Sequence, residues 1–148
     1  MNLRYKNFSL VSLFTYAQKF SRFNNQTFFL TNPANIAAYG LMDVVNNIWT
    51  TPGQPTTIGK ASSTRQFNSV DIQDASYVRF RNLKLNYTIP KSVVQRLKYF
   101  SSLTLFAQAE NLYTWTKWTG FDPEDSNNIA TFEYPTPRTF TFGLSVNL

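Results

Sequence analysis

Three stretches of this chain place apolar residues at every second position, and this pattern limits what the chain can fold into. In residues 83–89 the apolar side chains alternate with lysine, asparagine and threonine. Residues 103–110 and 139–148 show the same spacing. A period of two is typical of β-strands that have one apolar and one polar face. The sequence therefore predicts an all-β fold built from amphipathic strands.

Two further features favour lipid over a soluble core as the environment of the apolar face. Aromatic residues collect where the second strand ends, at Tyr113, Trp115 and Trp118, and rings of this kind are favoured where a strand meets lipid headgroups. The predicted connections also differ greatly in length, since residues 90–101 form a short link and residues 20–75 a long one. Transmembrane β-barrels have short turns at one end and long loops at the other. We therefore expect antiparallel strands of a transmembrane barrel, with long outer loops and one short loop helix.

Longer strings in the chain resemble a known family. Residues 74–124 read DASYVRFRNLKLNYTIPKSVVQRLKYFSSLTLFAQAENLYTWTKWTGFDPE, and residues 134–148 read YPTPRTFTFGLSVNL. Together with residues 5–8 (YKNF), 46–55 (NNIWTTPGQP) and 65–67, they resemble the C-terminal end of the SusC/RagA family of TonB-linked outer-membrane transporters. The resemblance covers nearly all of this chain. Family members are several times longer and carry a plug domain and most of the barrel ahead of this segment.

The resemblance implies a structural role in a larger transporter. It implies that residues 1–148 are one partial domain, the C-terminal barrel segment, in the bacterial outer membrane with a periplasmic C-terminus. The transporter would import an oligomeric nutrient, either glycan or peptide. Its implied partners are outer-membrane lipid, a SusD-like surface lipoprotein, and TonB acting through the absent N-terminal part. Residues 1–20 have no unbroken apolar core and no small-residue cleavage site, so they are not expected to be a signal peptide. Because an outer-membrane protein must be exported, we expect a fragment of a longer precursor, a truncated gene product or one piece of a split chain rather than a complete transporter.

The alternation also predicts the course of the chain in detail. We expect strands at residues 2–5, 8–19, 76–89, 102–116 and 138–148, with a tight turn at Lys6 and Asn7 in which Asn7 takes the positive φ. Helical spacing of apolar residues predicts a helix over residues 34–49, and a helical turn is expected in residues 91–100. The alternation changes phase near Arg81 and Asn82, which predicts either a β-bulge there or a strand that lies above the bilayer before Asn82. Arg79 and Arg81 should point away from lipid.

The candidate site residues fall into three groups. The rings of the first group can stack on sugars, although girdle or core packing is the more frequent use of such residues. The second group is predicted to face lipid, and the third to form an aromatic girdle at the membrane interface. The possible sugar-stacking group is Trp49, Trp118 and Phe121. The lipid-facing group is Leu103, Leu105, Phe140, Phe142, Leu144 and Val146. The girdle group is Tyr113 and Trp115.

Catalytic chemistry finds little support in this sequence. The chain has no His and no Cys, which excludes a catalytic triad, a thiol nucleophile and the usual zinc sites. No phosphate-binding glycine loop is present. Residues 120–125 (GFDPED) collect three acids, which suggest either a calcium or acid–base site or a turn in which Asp122 bonds the backbone beside Pro123. We favour the turn, and predict no enzyme, no cofactor and no metal.

Two other classes of protein have to be considered, a nucleic-acid-binding protein and a small soluble carbohydrate-binding module. There are 14 Lys and Arg residues against 8 Asp and Glu residues, for a net charge of +6. The basic residues are spread along a strand and the following turn, which indicates a solvated barrel lumen rather than a nucleic-acid groove. A small soluble β-rich carbohydrate-binding module remains the alternative, because it would use the same aromatic residues.

Overall fold

The computed structural model describes residues 1–38, 40–63, 65–97, 99–124, 129–130, 132 and 134–148, and of residue 44 the backbone alone. These residues form two compact units, each built from separate parts of the chain. The sheet unit comprises Met1–Gln18, Tyr77–Thr116 and Thr136–Leu148. The loop unit comprises Lys19–Ser76 and Lys117–Pro135.

The described residues contain eight strands and two short α-helices. No helix among them is long and apolar enough to cross a membrane. Short 3₁₀ helices occur at Pro33–Asn35, Asp43–Asn47, Ser69–Asp71 and Gln95–Leu97. The other elements, in chain order, are β1 (Asn2–Tyr5), β2 (Phe8–Ala17), β3 (Ser21–Asn24), α1 (Asn25–Leu30), β4 (Ile72–Asp74), β5 (Tyr77–Thr88), α2 (Lys91–Val94), β6 (Ser102–Thr116), β7 (Ile129–Ala130) and β8 (Thr139–Asn147).

The sheet unit is one antiparallel sheet with the strand order β1-β2-β5-β6-β8. All five predicted strands are confirmed, and β6 has the predicted bounds. Ala17, Tyr77 and Thr116 are paired neighbours across β2, β5 and β6. The chain therefore leaves the sheet toward both long segments at this one end, while the short connections lie at the other end.

The short connections differ in detail from the sequence prediction. In the turn between β1 and β2 the positive φ of 50° belongs to Lys6 and not to Asn7. Asn7 instead presents its carbonyl oxygen to the backbone N–H of Thr88, at 2.9 Å. The predicted helical turn after Pro90 is confirmed as α2 and the 3₁₀ helix that follows it. Of its apolar residues Val94 is buried, at 1% exposed.

The predicted β-bulge is present and spans three strands. Leu13 pairs with Asn82 and Phe14 with Phe80, so Arg81 is an extra residue relative to β2. Relative to β5 the extra residue lies on β6, where Asn111 has a φ of 53°. Asparagine tolerates this left-handed conformation better than most residues. The bulge brings the apolar residues on either side of Arg81 to the same face of the sheet.

The loop unit contains a second sheet that the sequence did not predict. Its strand order is β4-β3-β7, with β3 antiparallel to β4 and parallel to β7. These strands are only two to four residues long, which is too short for alternation to be visible. A buried cluster of Ala75, Trp118 and Ala130, with Phe20 packed against it, forms its core.

The predicted helix over residues 34–49 is wrong. The Asn24 side chain accepts a hydrogen bond from the Thr27 N–H and so begins α1 well upstream of residue 34. The backbone N–H of Met42 then donates to the carbonyl of Leu30 at 3.0 Å, which folds the chain back on α1 and excludes one straight helix. Two short 3₁₀ helices replace it, and the side chain of Val44, one of the predicted apolar positions, lies outside the described residues.

We predict that Gly143→Ala destabilises the sheet. An added Cβ at this position would lie 2.5 Å from the Phe106 ring, which covers Gly143 from the paired position on β6. Forcing such a ring aside costs about 1–3 kcal/mol, measured as a lower denaturation midpoint in detergent. Combining Gly143→Ala with Phe106→Leu should recover most of the loss, and an unchanged midpoint for the single variant would contradict the close approach.

Candidate functional site

One face of the five-stranded sheet is apolar over its whole width, and we name it the apolar face. The registers place Leu103 opposite Val146, Leu105 opposite Leu144, and Phe142 opposite Ala107. The six residues predicted to face lipid all lie on this face. Five of them are exposed, Phe142 most of all at 77%, and Leu103 is half-buried. The other large apolar members are Leu3, Tyr5, Phe8, Leu10, Phe14, Tyr16, Val78, Phe80, Leu83, Leu85, Tyr87, Tyr113 and Trp115.

Aromatic rings collect at both ends of the apolar face. The Tyr113 and Trp115 rings predicted as a girdle are neighbours, with centroids 4.8 Å apart. At the opposite end the ring centroids of Phe8 and Tyr87 are 4.6 Å apart, and the exposed Tyr5 pairs with Phe8 where β1 and β2 meet the turn. Sequence reasoning missed this second group because its residues come from strand ends distant in sequence. Each of these residues lies at an apolar position of the alternation in its strand, and this was the sequence signal that could have identified them.

The opposite face of the sheet is mainly polar and carries the cations of β5, although Val11, Leu13 and Phe106 also lie on it. The Arg79 Nε donates to Thr114 Oγ1 at 2.9 Å, and Arg79 is almost fully buried. Arg81, at the bulge, reaches Thr15 Oγ1 on β2 at 3.5 Å. Both arginines therefore avoid the apolar face, as predicted.

Further along the polar face, charged groups are matched to neighbours on β6. Lys84 Nζ lies 4.8 Å from the centre of the Phe106 ring, a distance at which the cation is attracted to the ring face. Gln108 Nε2 donates to Glu110 Oε1 at 2.7 Å. Lys84, Gln108 and Glu110 therefore give this part of the face polar groups that water can solvate.

In the loop unit the acidic segment 120–125 forms the predicted turn. The backbone N–H of Glu124 donates to Asp122 Oδ1 at 2.9 Å, across Pro123. The buried Arg22 side chain holds the same turn, since its NH1 group donates to the carbonyls of Asp122 and Pro123 at 3.1 and 3.4 Å. The turn interpretation is confirmed, and Asp125, the third acid, lies outside the described residues.

The prediction that Trp118 contacts substrate is contradicted by its position. The side chain is only 6% exposed and packs with Ala75, Ala130 and Phe20 in the core of the loop unit. Its ring also lies directly over Gly120. A ring enclosed in this way has no free face for a sugar, so core packing is its role in this structure.

The other two substrate-contact candidates remain accessible. Phe121 is 62% exposed. Trp49 is half-buried, and the Lys60 ammonium lies 5.0 Å from the centre of its ring. The backbone N–H of Trp49 donates to the carbonyl of Ile58, which joins the two ends of a turn organised by hydrogen bonds of the Gln54 side chain.

The loop unit also has two clefts. One, which we name the polar cleft because most of its lining residues are polar, has a volume of about 360 Å³ and is lined by residues from segments 31–33, 57–60, 63, 65–66, 68 and 70. The other has a volume of about 460 Å³ and is almost wholly apolar. The apolar cleft is lined by Phe23, Asn25, Phe29, Phe67 and Ile129.

Arg65 connects α1 to the wall of the polar cleft. Its NH1 group donates to the carbonyl of Phe28 at 2.7 Å and to Thr31 Oγ1 at 2.6 Å, which are groups near the C-terminal end of the helix. Its NH2 group forms a salt bridge with the buried Asp71. Carbonyls at a helix end have no partner within the helix, so Arg65 supplies one and fixes this side of the cleft.

One acid of the loop unit has a shifted pKa. Hydrogen bonds from the side chain and the backbone N–H of Ser76 lower the pKa of Asp74 below its ordinary value of 3.8, and the charge of Lys117 acts in the same direction. A lowered pKa in the folded state contributes stability above the ordinary pKa, and this contribution is lost as the pH falls through the folded value. Because Asp74 is fully exposed, solvent screens the effect. No group of three or more acids among the described residues is placed to hold a metal ion.

Comparisons with known proteins agree with this architecture. No family model matches the chain. It is 32% identical to TonB-dependent receptor P3 of Formosa agariphila, over 98% of this chain and 15% of that protein. It is 28% identical to TonB-dependent receptor SusC of Bacteroides thetaiotaomicron, over 97% of this chain and 14% of that protein. The RagAB peptide importer in its closed-closed and open-open states matches with TM-scores of 0.87 and 0.83 at 29% identity, over 96% of this chain and 16% of that chain.

The fold and the two-faced sheet therefore define a segment of the kind found in TonB-dependent barrel transporters. The resemblance to the SusC/RagA family is confirmed in both sequence and fold, over nearly the whole chain. The predicted all-β fold class is confirmed as well. The relatives are receptors and transporters rather than enzymes, in agreement with the predicted lack of catalysis. The chain spans about 15% of the length of these relatives.

We predict that Gly120→Ala loosens the loop unit. An added Cβ would clash with Trp118 Nε1, and the buried ring cannot move aside without disturbing its neighbours. We expect a loss of about 1–3 kcal/mol and faster proteolysis within residues 19–76 and 117–135. Gly59→Ala is the matched control, because an added Cβ there meets nothing within 4 Å. Equal proteolysis rates for the two variants would contradict the prediction.

Proposed function

We propose that this chain supplies wall strands and extracellular loops to a TonB-dependent outer-membrane transporter of the SusC/RagA type. Residues 1–148 would then be a partial domain, the C-terminal part of the barrel. The apolar face would contact outer-membrane lipid and the polar face would line the lumen. The single observation that carries the proposal is an apolar face that continues across all five strands of the sheet and has aromatic rings at both ends.

The dimensions of the apolar face support this proposal. Phe8 and Tyr16 stand at opposite ends of β2, about 26 Å apart for an extended strand. A strand tilt of about 40° reduces this to about 20 Å along the membrane normal, close to the apolar band of roughly 25 Å in outer-membrane barrels. An exposed apolar surface of this width is rare on soluble monomers, which argues against a soluble carbohydrate-binding module.

The chain topology supports an orientation in the membrane. Both long segments leave from one end of the sheet, and outer-membrane barrels have their long loops outside the cell. The loop unit would therefore be extracellular. The turn at Lys6 and Asn7, α2 and the C-terminus would be periplasmic.

Transport requires parts that this chain does not contain. The likeness to the RagAB peptide importer supports an oligomeric nutrient, peptide or glycan, as the substrate. Capture under a SusD-like lipoprotein and energy supply through TonB are the expected steps, with TonB acting on the N-terminal part. The segment matches the closed-closed and open-open states of the importer with similar TM-scores. This similarity supports a barrel wall that keeps its fold while other parts of the transporter move.

We predict opposite outcomes for lysine on the two faces of β8. Phe142→Lys or Leu144→Lys would place a cation on the lipid side, at a cost of about 2–4 kcal/mol near the midplane, and should block assembly. Thr141→Lys and Ser145→Lys add the same charge to the polar face and should be tolerated. The measurement is the amount of complete receptor in isolated outer membranes that migrates faster in unheated than in heated gel samples.

The same experiment separates the two classes of function. Equal assembly of all four variants would contradict the proposed lipid face. Recovery of the protein as a soluble monomer would favour the binding module instead.

Protease treatment of intact cells tests the proposed orientation. Cleavage is expected within residues 50–70 or 120–135, which lie in the proposed extracellular loops. Residues 91–100 should be spared until the outer membrane is permeabilised. The reverse pattern would show that the sheet is inserted in the opposite sense.

A further inference from the structure

The polar cleft of the loop unit has no part in forming a barrel wall. Its volume of about 360 Å³ lies within the range of ligand pockets. No acidic residue lines it in the described part of the chain, and the charged side chains in its wall are both cations. Its polar lining side chains include Asn32, Thr57, Lys60, Arg65, Gln66 and Asn68.

Asn32 offers a hydrogen-bond donor at the cleft wall. The side chain is 9% exposed, and its Oδ1 is used to accept the Ala34 N–H at 3.2 Å. This bond holds the start of a 3₁₀ helix and fixes the orientation of the amide. The Nδ2 group forms no hydrogen bond with any described residue, so its protons are available to a molecule in the cleft.

Lys60 supplies the uncompensated charge of the cleft. It forms no ion pair with a described residue, and its ammonium group lies over the Trp49 ring at 5.0 Å. By contrast Arg65 is neutralised by its salt bridge with Asp71, and its NH1 group is occupied by α1. The net charge presented to a ligand is therefore that of Lys60.

We infer that this cleft binds the carboxylate group of an oligomeric ligand. Lys60 would provide the charge and Asn32 Nδ2 a directed hydrogen bond, while the exposed side chains of Thr57, Gln66 and Asn68 solvate the remainder of the ligand. Hydrogen bonds to charged groups are about twice as strong as neutral ones, so this pairing favours an anion over a neutral molecule. The inference rests on the proposed transport function only for the oligomeric nature of the ligand.

Two sources of such a carboxylate fit the cleft equally well. One is the C-terminal carboxylate of a peptide, and the other is the carboxylate of an acidic sugar. The test uses one matched pair of probes for each source: N-acetylated tetra-alanine with a free or an amidated C-terminus, and a tetramer of galacturonic acid or of galactose. Binding is measured by calorimetry on the complete receptor that carries this segment, purified in detergent.

Three substitutions test the roles of the two side chains. Asn32→Asp retains the Oδ1 that caps the 3₁₀ helix but replaces the donor with a negative oxygen, and should weaken carboxylate binding at least about tenfold. Lys60→Gln removes the charge and should do the same, whereas Lys60→Arg should restore binding to within about threefold of the original. Lys117→Gln removes one exposed charge elsewhere in the loop unit and serves as the matched control.

The outcomes are distinct. Tighter binding of the free peptide or of the acidic sugar than of its neutral partner, lost in Asn32→Asp and Lys60→Gln only, supports the inference and identifies the source. Equal binding of charged and neutral probes, no binding, or an equal effect of Lys117→Gln overturns it. Membrane assembly of the variants is scored separately, so that a receptor that assembles without discriminating contradicts this inference alone. If the protein is recovered as a soluble monomer, the proposed function fails and the same titration still tests the cleft.

Discussion

The register shift at Arg81 and Asn111 is the constraint on which both faces of the sheet depend. Without the extra residue on each strand, Val78 and Phe80 would point to the face that carries Lys84, and Arg79 to the apolar face. A one-residue shift exchanges every side chain between the two faces of a strand. The bulge therefore keeps the cations of β5 on one side and makes one apolar face from a sequence whose alternation changes phase.

The loop unit is stabilised in a different way, by buried polar side chains that satisfy backbone groups. Arg22 binds the carbonyls of the turn at Asp122, and Arg65 binds those of α1. The fully buried Asn24 joins Gln73 and Thr119 through its Nδ2 and also begins α1. Short strands and 3₁₀ turns leave many backbone groups without regular partners, and each such group costs stability when it is buried unpaired. A few long polar side chains thus replace the large apolar core that loops cannot form.

This contrast explains how much the sequence could predict. The strands of the sheet unit follow from alternation, which is a local property, so β6 was predicted to the residue and the bulge near Arg81 was found. The helix over residues 34–49 failed because the fold-back bond from Met42 to Leu30 is not local. The sequence could not decide between sugar stacking and core packing for Trp118 for the same reason, since its burial depends on Ala75 and Ala130, which are distant in sequence. The polar cleft, assembled from many short segments, left no pattern that sequence reasoning could detect.

The two edge strands of the sheet also favour the proposed function. Strands β1 and β8 are its edge strands in the described chain, and each pairs on one side only. In water an open edge templates aggregation, and in hydrocarbon its unpaired N–H and C=O groups cost several kcal/mol each. Strand β8 pairs with β6 in an unbroken register, and it carries the exposed side chains of Phe140, Phe142 and Leu144. It lacks the charges and the proline that protect natural edges of soluble sheets. Such an edge is stable only when another strand covers it, and closure into a larger barrel covers both edges at once.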